Sequence, residues 1–87
     1  MTNLSPEQFA LEVRNILADL ENMLVAKNIA YGDAALSPVR VFAKSDNTEL
    51  IKVRIDDKLS RIRSGNNDED TVLDLIGYLV LLRIASK

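Results

Sequence analysis

With 87 residues, the chain is too short for two ordinary domains, and one small domain spanning 1–87 is expected. Its hydrophobic share of 47% and charged share of 28% fit a globular protein and exclude a disordered one. The absence of Cys and His excludes disulfides, thiolate or imidazole catalysis, and zinc sites built on those ligands. A formal charge of -2 gives no reason to expect binding to duplex nucleic acid. Any chemistry must use carboxylates, Lys, Arg, Tyr, Ser or Thr. The polar opening Met1-Thr2-Asn3 is unlike a secretory signal, and Asp74, Tyr78 and Arg83 interrupt the apolar run near the end. No membrane span and a cytoplasmic location are therefore expected.

The first helix is announced by Ser5 as cap, Pro6 in the first helical position and Gln8 completing a capping box. Phe9, Val13, Ile16, Leu17, Leu20 and Leu24 follow in one helical stripe, which Lys27 ends with a cation. Leu11, Ala18 and Val25 form a thinner apolar line on another side. Residues 29–38 read as a connection turning at Gly32-Asp33 and breaking at Ser37-Pro38, and 39–44 allow a short additional helical segment.

The cap-forming run Ser45-Asp46-Asn47-Thr48 opens a second main helix, whose core face is Ile51, Ile55, Leu59 and Ile62. Ser64-Gly65-Asn66-Asn67 closes it. Asn67 or Asp68 caps a last helix, with Asp68, Glu69 and Asp70 complementing its dipole. From Val72 onward that helix is apolar on almost every side, and two other helices of so short a chain can hardly cover it. The expected architecture is all-α, with three main helices and a bundle completed by homo-oligomerisation.

Three groups of residues are candidates for chemistry. Arg54, Lys58 and Arg61 lie on one line of the second helix. They suit phosphate oxygens, or else a solvated face with pairs such as Asp57–Arg61. Asp74 interrupts the most apolar helix and needs a cation, a metal or water. With Asp70 one turn before it, Asp74 could hold Mg²⁺; the alternative is an ion pair with Lys58 or Arg61. Lys27 and Tyr31, one turn apart, suit a phosphate and a stacked base, or simply close the core.

Three blocks recur in order: Lys27-Asn28-Ile29-Ala30-Tyr31-Gly32-Asp33, then Arg54-Ile55-Asp56-Asp57-Lys58-Leu59-Ser60-Arg61-Ile62, then Glu69-Asp70-Thr71-Val72-Leu73-Asp74-Leu75-Ile76-Gly77-Tyr78. Together they resemble the nucleotide-modification-associated domain of phages and prophages, with its K-N-x-x-Y-G-D, D-K-x-x-R-I and E-D-T-x-x-D-L-x-x-Y motifs. More distantly the chain is similar to the all-α nucleoside-triphosphate pyrophosphohydrolases of MazG type, which hold Mg²⁺ on E-E-x-x-E and E-x-x-D. On that pattern Asp56, Asp57 and Asp74 match by charge, while Ser60 and Thr71 stand where acids belong and Asp70 falls one residue early.

What the resemblance implies is an oligomeric phage or prophage protein, acting in the bacterial cytoplasm, that binds a nucleotide or related phosphorylated ligand. Lys27, Arg54, Lys58 and Arg61 would hold phosphates and Tyr31 would border the base. Asp57, Asp70 and Asp74 would bind Mg²⁺ for phosphoanhydride hydrolysis, or else orient the cations. The alternatives are a non-catalytic sponge for a cyclic nucleotide messenger of bacterial immunity, serving anti-defence, and a structural or protein-inhibiting oligomer that binds no nucleotide.

Overall fold

The computed structural model describes residues 3–38, 40–42, 44–66 and 68–87. Among them the chain is all-helical: α1 (Pro6–Tyr31), α2 (Asn47–Arg63) and α3 (Glu69–Ala85). No helix of the described residues is long and apolar enough to cross a membrane.

Each helix begins at a side-chain cap. The Gln8 backbone N–H donates to the Ser5 hydroxyl at 3.1 Å, and the Ser5 N–H donates to the Gln8 side-chain oxygen at 2.9 Å. This box satisfies two of the donors that a helix start leaves open. The Asp46 carboxylate accepts the Glu49 N–H at 3.0 Å to open α2, and Asp68 accepts the Thr71 N–H at 2.8 Å to open α3. The other candidate cap of α3, Asn67, lies outside the described residues.

Two boundaries differ from the sequence expectation. The first helix continues through Ile29 and Ala30 to Tyr31, because nothing in those residues breaks it. It ends only where Gly32 adopts the left-handed conformation (φ 61°) and donates its N–H to the Asn28 carbonyl. Asp33 follows with φ 62°, and its carboxylate accepts the Asn28 side-chain amide at 2.6 Å. A short side chain that bonds locally makes this region tolerable for Asp. The additional helix allowed over 39–44 does not form among the described residues of that span, which are bends and coil; Val39 and Ala43 lie outside them.

The central helix is α3. Its larger contact is with α2 and its smaller one with α1. Lys58 meets Asp74 across the short connection, so α2 and α3 form an antiparallel pair. Lys27 also meets Asp74, while Leu20, Met23 and Leu24 lie against Gly77, so α1 is antiparallel to α3 as well. The missing side chain at Gly77 permits this approach: a Cβ there would lie 3.0 Å from Met23 Cε and 3.1 Å from Leu24 Cδ2.

The helices are unequal in length. With 26 residues α1 is about 39 Å long, against about 26 Å for the 17 residues of α3. The first turns of α1 therefore run past the end of α3 with no neighbour. The expected core stripe is buried only in its later part, where Leu20 is 6% exposed and Leu24 half-buried. Phe9, Val13, Ile16 and Leu17 stand exposed, contrary to expectation, and so does Leu59 of α2. Val72, Leu79 and Ile84 of α3 are also uncovered within one chain. The radius of gyration is 15.1 Å, where a compact domain of this length would have about 12 Å.

The Gly77 contact makes a graded prediction. Gly77→Ala is expected to be close to neutral, since the gain in helix propensity of about 1 kcal/mol is offset by displacing the ends of Met23 and Leu24. Gly77→Val should force α1 off α3 and lower unfolding free energy by about 2 kcal/mol in urea titrations followed by circular dichroism.

Candidate functional site

The odd residue in each apolar stripe marks the site. Lys27 ends the apolar line of α1, and Asp74 interrupts that of α3; the antiparallel packing brings them together. Lys27 Nζ lies 3.0 Å from Asp74 Oδ1, and Lys58 Nζ lies 3.5 Å from Asp74 Oδ2. One carboxylate thus receives an ammonium group from each of the other two helices. The Lys58 side chain is only 12% exposed, that of Asp74 25%, and that of Lys27 51%. The cluster is partly sheltered and most exposed to water on the Lys27 side.

Formally the cluster carries one net positive charge. Each ammonium offers three donors; Lys27 spends one on Asp74 and Lys58 is held to it as an ion pair, leaving donors for a second acceptor. An anion with several oxygens suits that arrangement.

The hydrogen bond that Lys27 donates to Asp74 is the main influence holding the Lys27 pKa above its ordinary value of 10.5, against the opposing effect of partial burial. The charge of Asp74 and the phenol groups of Tyr78 and Tyr31 pull in the same upward direction. Tyr78 is half-buried one turn beyond Asp74, and Tyr31 is exposed one turn beyond Lys27. The aromatic ring expected beside the lysine is therefore at its rim.

The basic line of α2 divides. Lys58 turns toward α3, while Arg54 and Arg61 are exposed. Arg61 forms the intrahelical pair with Asp57 at 3.4 Å. Of the two ion-pair partners expected for Asp74, Lys58 meets it and Arg61 is engaged elsewhere. Lys27 is the partner that local reasoning missed, although a cation closing one apolar stripe and an acid breaking another were the signal for it.

The acids intended for Mg²⁺ are not gathered within one chain. Asp57 faces Arg61, Asp70 is exposed, and both oxygens of Asp74 lie against ammonium groups. Among the described residues no three His, Cys, Asp or Glu side chains come together as a cation site. Within one chain Asp57 and Asp74 are thus engaged by cationic side chains.

No family model matches the chain, and comparisons with curated proteins and with solved structures find no match. The resemblance described for the three sequence blocks is carried by those residues alone.

Two outcomes follow from the cluster. Asp74→Ala should cost about 2 kcal/mol in unfolding free energy, less than for a fully buried pair because Lys27 and Asp74 keep contact with water. Asp74→Leu combined with Lys58→Met should recover much of that loss, since the sheltered Lys58 ammonium is then not stranded and the half-exposed Lys27 is left to water. A pKa raised on folding stabilises fully below 10.5 and ceases to do so as pH rises through the raised value. The stability difference between the natural chain and Lys27→Met should accordingly be constant from neutral pH to about 10 and decline as pH rises beyond 10.5 through the raised value in pH-dependent denaturation.

Proposed function

We propose that this protein binds a nucleotide or cyclic nucleotide at the Lys27–Asp74–Lys58 cluster and holds it without turnover. The observation that carries this reading is the convergence of two lysines from different helices on one carboxylate, with donors to spare and net positive charge. Lys27 and Lys58 take phosphate oxygens, and Arg54 and Arg61 add charge along the exposed side of α2. Tyr31 borders the base from the rim. Sequestration is favoured over hydrolysis because Asp74 is engaged by two ammonium groups and Asp57 by Arg61. The motif resemblance supports the same ligand class and suggests a phage protein countering a nucleotide messenger in the bacterial cytoplasm. Association of several copies belongs to this reading, because one chain leaves much apolar surface uncovered.

The test is to incubate the pure protein with nucleoside triphosphates and cyclic nucleotides, with Mg²⁺ or with chelator, and to measure melting temperature and chromatograph the small molecules. A raised melting temperature, intact ligand and indifference to chelation are expected. Lys58→Gln should weaken binding roughly tenfold or more, as for loss of a charge-assisted hydrogen bond. Cleaved products would establish a hydrolase instead, and no shift with any ligand would leave the cluster a structural device.

A further inference from the structure

We propose that two copies of the chain associate through the N-terminal half of α1, running antiparallel, each half-helix lying against the groove between α1 and α3 of the other. The chain exposes 6827 Å², whereas a folded monomer of its 9.7 kDa should expose about 5,100 Å². The excess of about 1,700 Å² is twice the roughly 800 Å² that each partner buries in a standard interface, and it falls in the range of obligate dimers.

The uncovered surface is apolar and has a pattern. Ala10, Val13, Leu17, Leu20 and Leu24 recur at alternating spacings of three and four, the repeat of a helix–helix seam. Within one chain α3 covers only the later part, leaving Val13 at 38% and Leu17 at 56% exposure. Beside them runs a groove of about 310 Å³ lined by Leu17, Leu20, Leu24, Val80 and Ile84, with Glu21 among its walls. The unpartnered half of α1 has the length and apolar character to fill it.

Charge selects the occupant and its direction. Arg14 and Glu21 are seven residues apart on one flank of the seam. In an antiparallel pair centred near Leu17, Arg14 of each copy meets Glu21 of the other, giving two reciprocal ion pairs. A parallel pair would set Arg14 against Phe9 and Glu21 against Ile16, and lose both. The surface is thus self-complementary, as a two-fold interface requires. It includes neither Lys58 nor Asp74 and does not depend on the ligand reading.

The test is the mass of the full-length protein by sedimentation equilibrium, without nucleotide, over a range of concentrations. Twice the 9.7 kDa of the chain, or an even multiple of it, is expected. Leu17→Glu should raise the dissociation constant about 100-fold or more while far-ultraviolet circular dichroism keeps its helical signal, because position 17 is already exposed in the isolated chain. Arg14→Glu and Glu21→Arg should each weaken association about tenfold, and the double exchange should restore it. A monomer at every concentration, an odd-numbered assembly, an unchanged mass for Leu17→Glu, or a double exchange no better than the single ones would each overturn the proposal. A monomeric result would also leave this face to a different protein.

Discussion

A carboxylate in the middle of the most apolar helix is the constraint on which the rest of this structure depends. Asp74 stands between Val72-Leu73 and Leu75-Ile76 on a partly sheltered face, where an unpaired charge is costly. It is answered by Lys27 from α1 and Lys58 from α2, so a single side chain ties all three helices together. The link matters most for α1, whose contact with α3 is the smaller of the two. Met23 and Leu24 against Gly77 supply the close approach there, and the ion pair fixes its register one turn away.

The same arrangement gives the molecule two unlike ends. Around Asp74 charges are concentrated, and sheltered donors remain available for an anion. At the other end α1 projects beyond α3 with Phe9, Val13, Ile16 and Leu17 uncovered. The overall charge of -2 conceals this division, since local excess and global balance are independent quantities. In the proposed antiparallel pair the two ends become neighbours: the first turn of one copy's α1 lies beside the Lys27 end of the other. Association and ligand binding would then share a boundary without sharing residues.

Local chemistry accounts for the helix ends with little help from packing. Hydrogen bonds from the Thr48 hydroxyl and the Glu49 N–H hold the Asp46 pKa below its ordinary 3.8, and the Thr71 N–H does the same for Asp68. Both groups are anionic at every pH at which the caps are needed, and their stabilising contribution fades only as pH falls through those lowered values. Gly32 and Asp33, both left-handed, turn the chain out of α1. The Asn47 side-chain amide donates to the Leu36 carbonyl and anchors the connection to the start of α2.

The sequence by itself determined the three helices, their caps and the turn at Gly32-Asp33, and offered the Asp57–Arg61 pair as one of two readings, because each depends on residues within a turn or two of one another. It also showed that Asp74 required a cation, a metal or water, since the cost of burying a charge does not depend on which partner relieves it. Only the tertiary structure decided that Lys27, distant in sequence, is one of the two partners, and that Arg61 is not. It alone decided which apolar residues are covered: Leu20 and Phe9 occupy the same helical stripe, yet α3 reaches the first and stops short of the second. Periodicity names the face a helix must bury, whereas the lengths and antiparallel registers of its neighbours determine how much of that face one chain can cover.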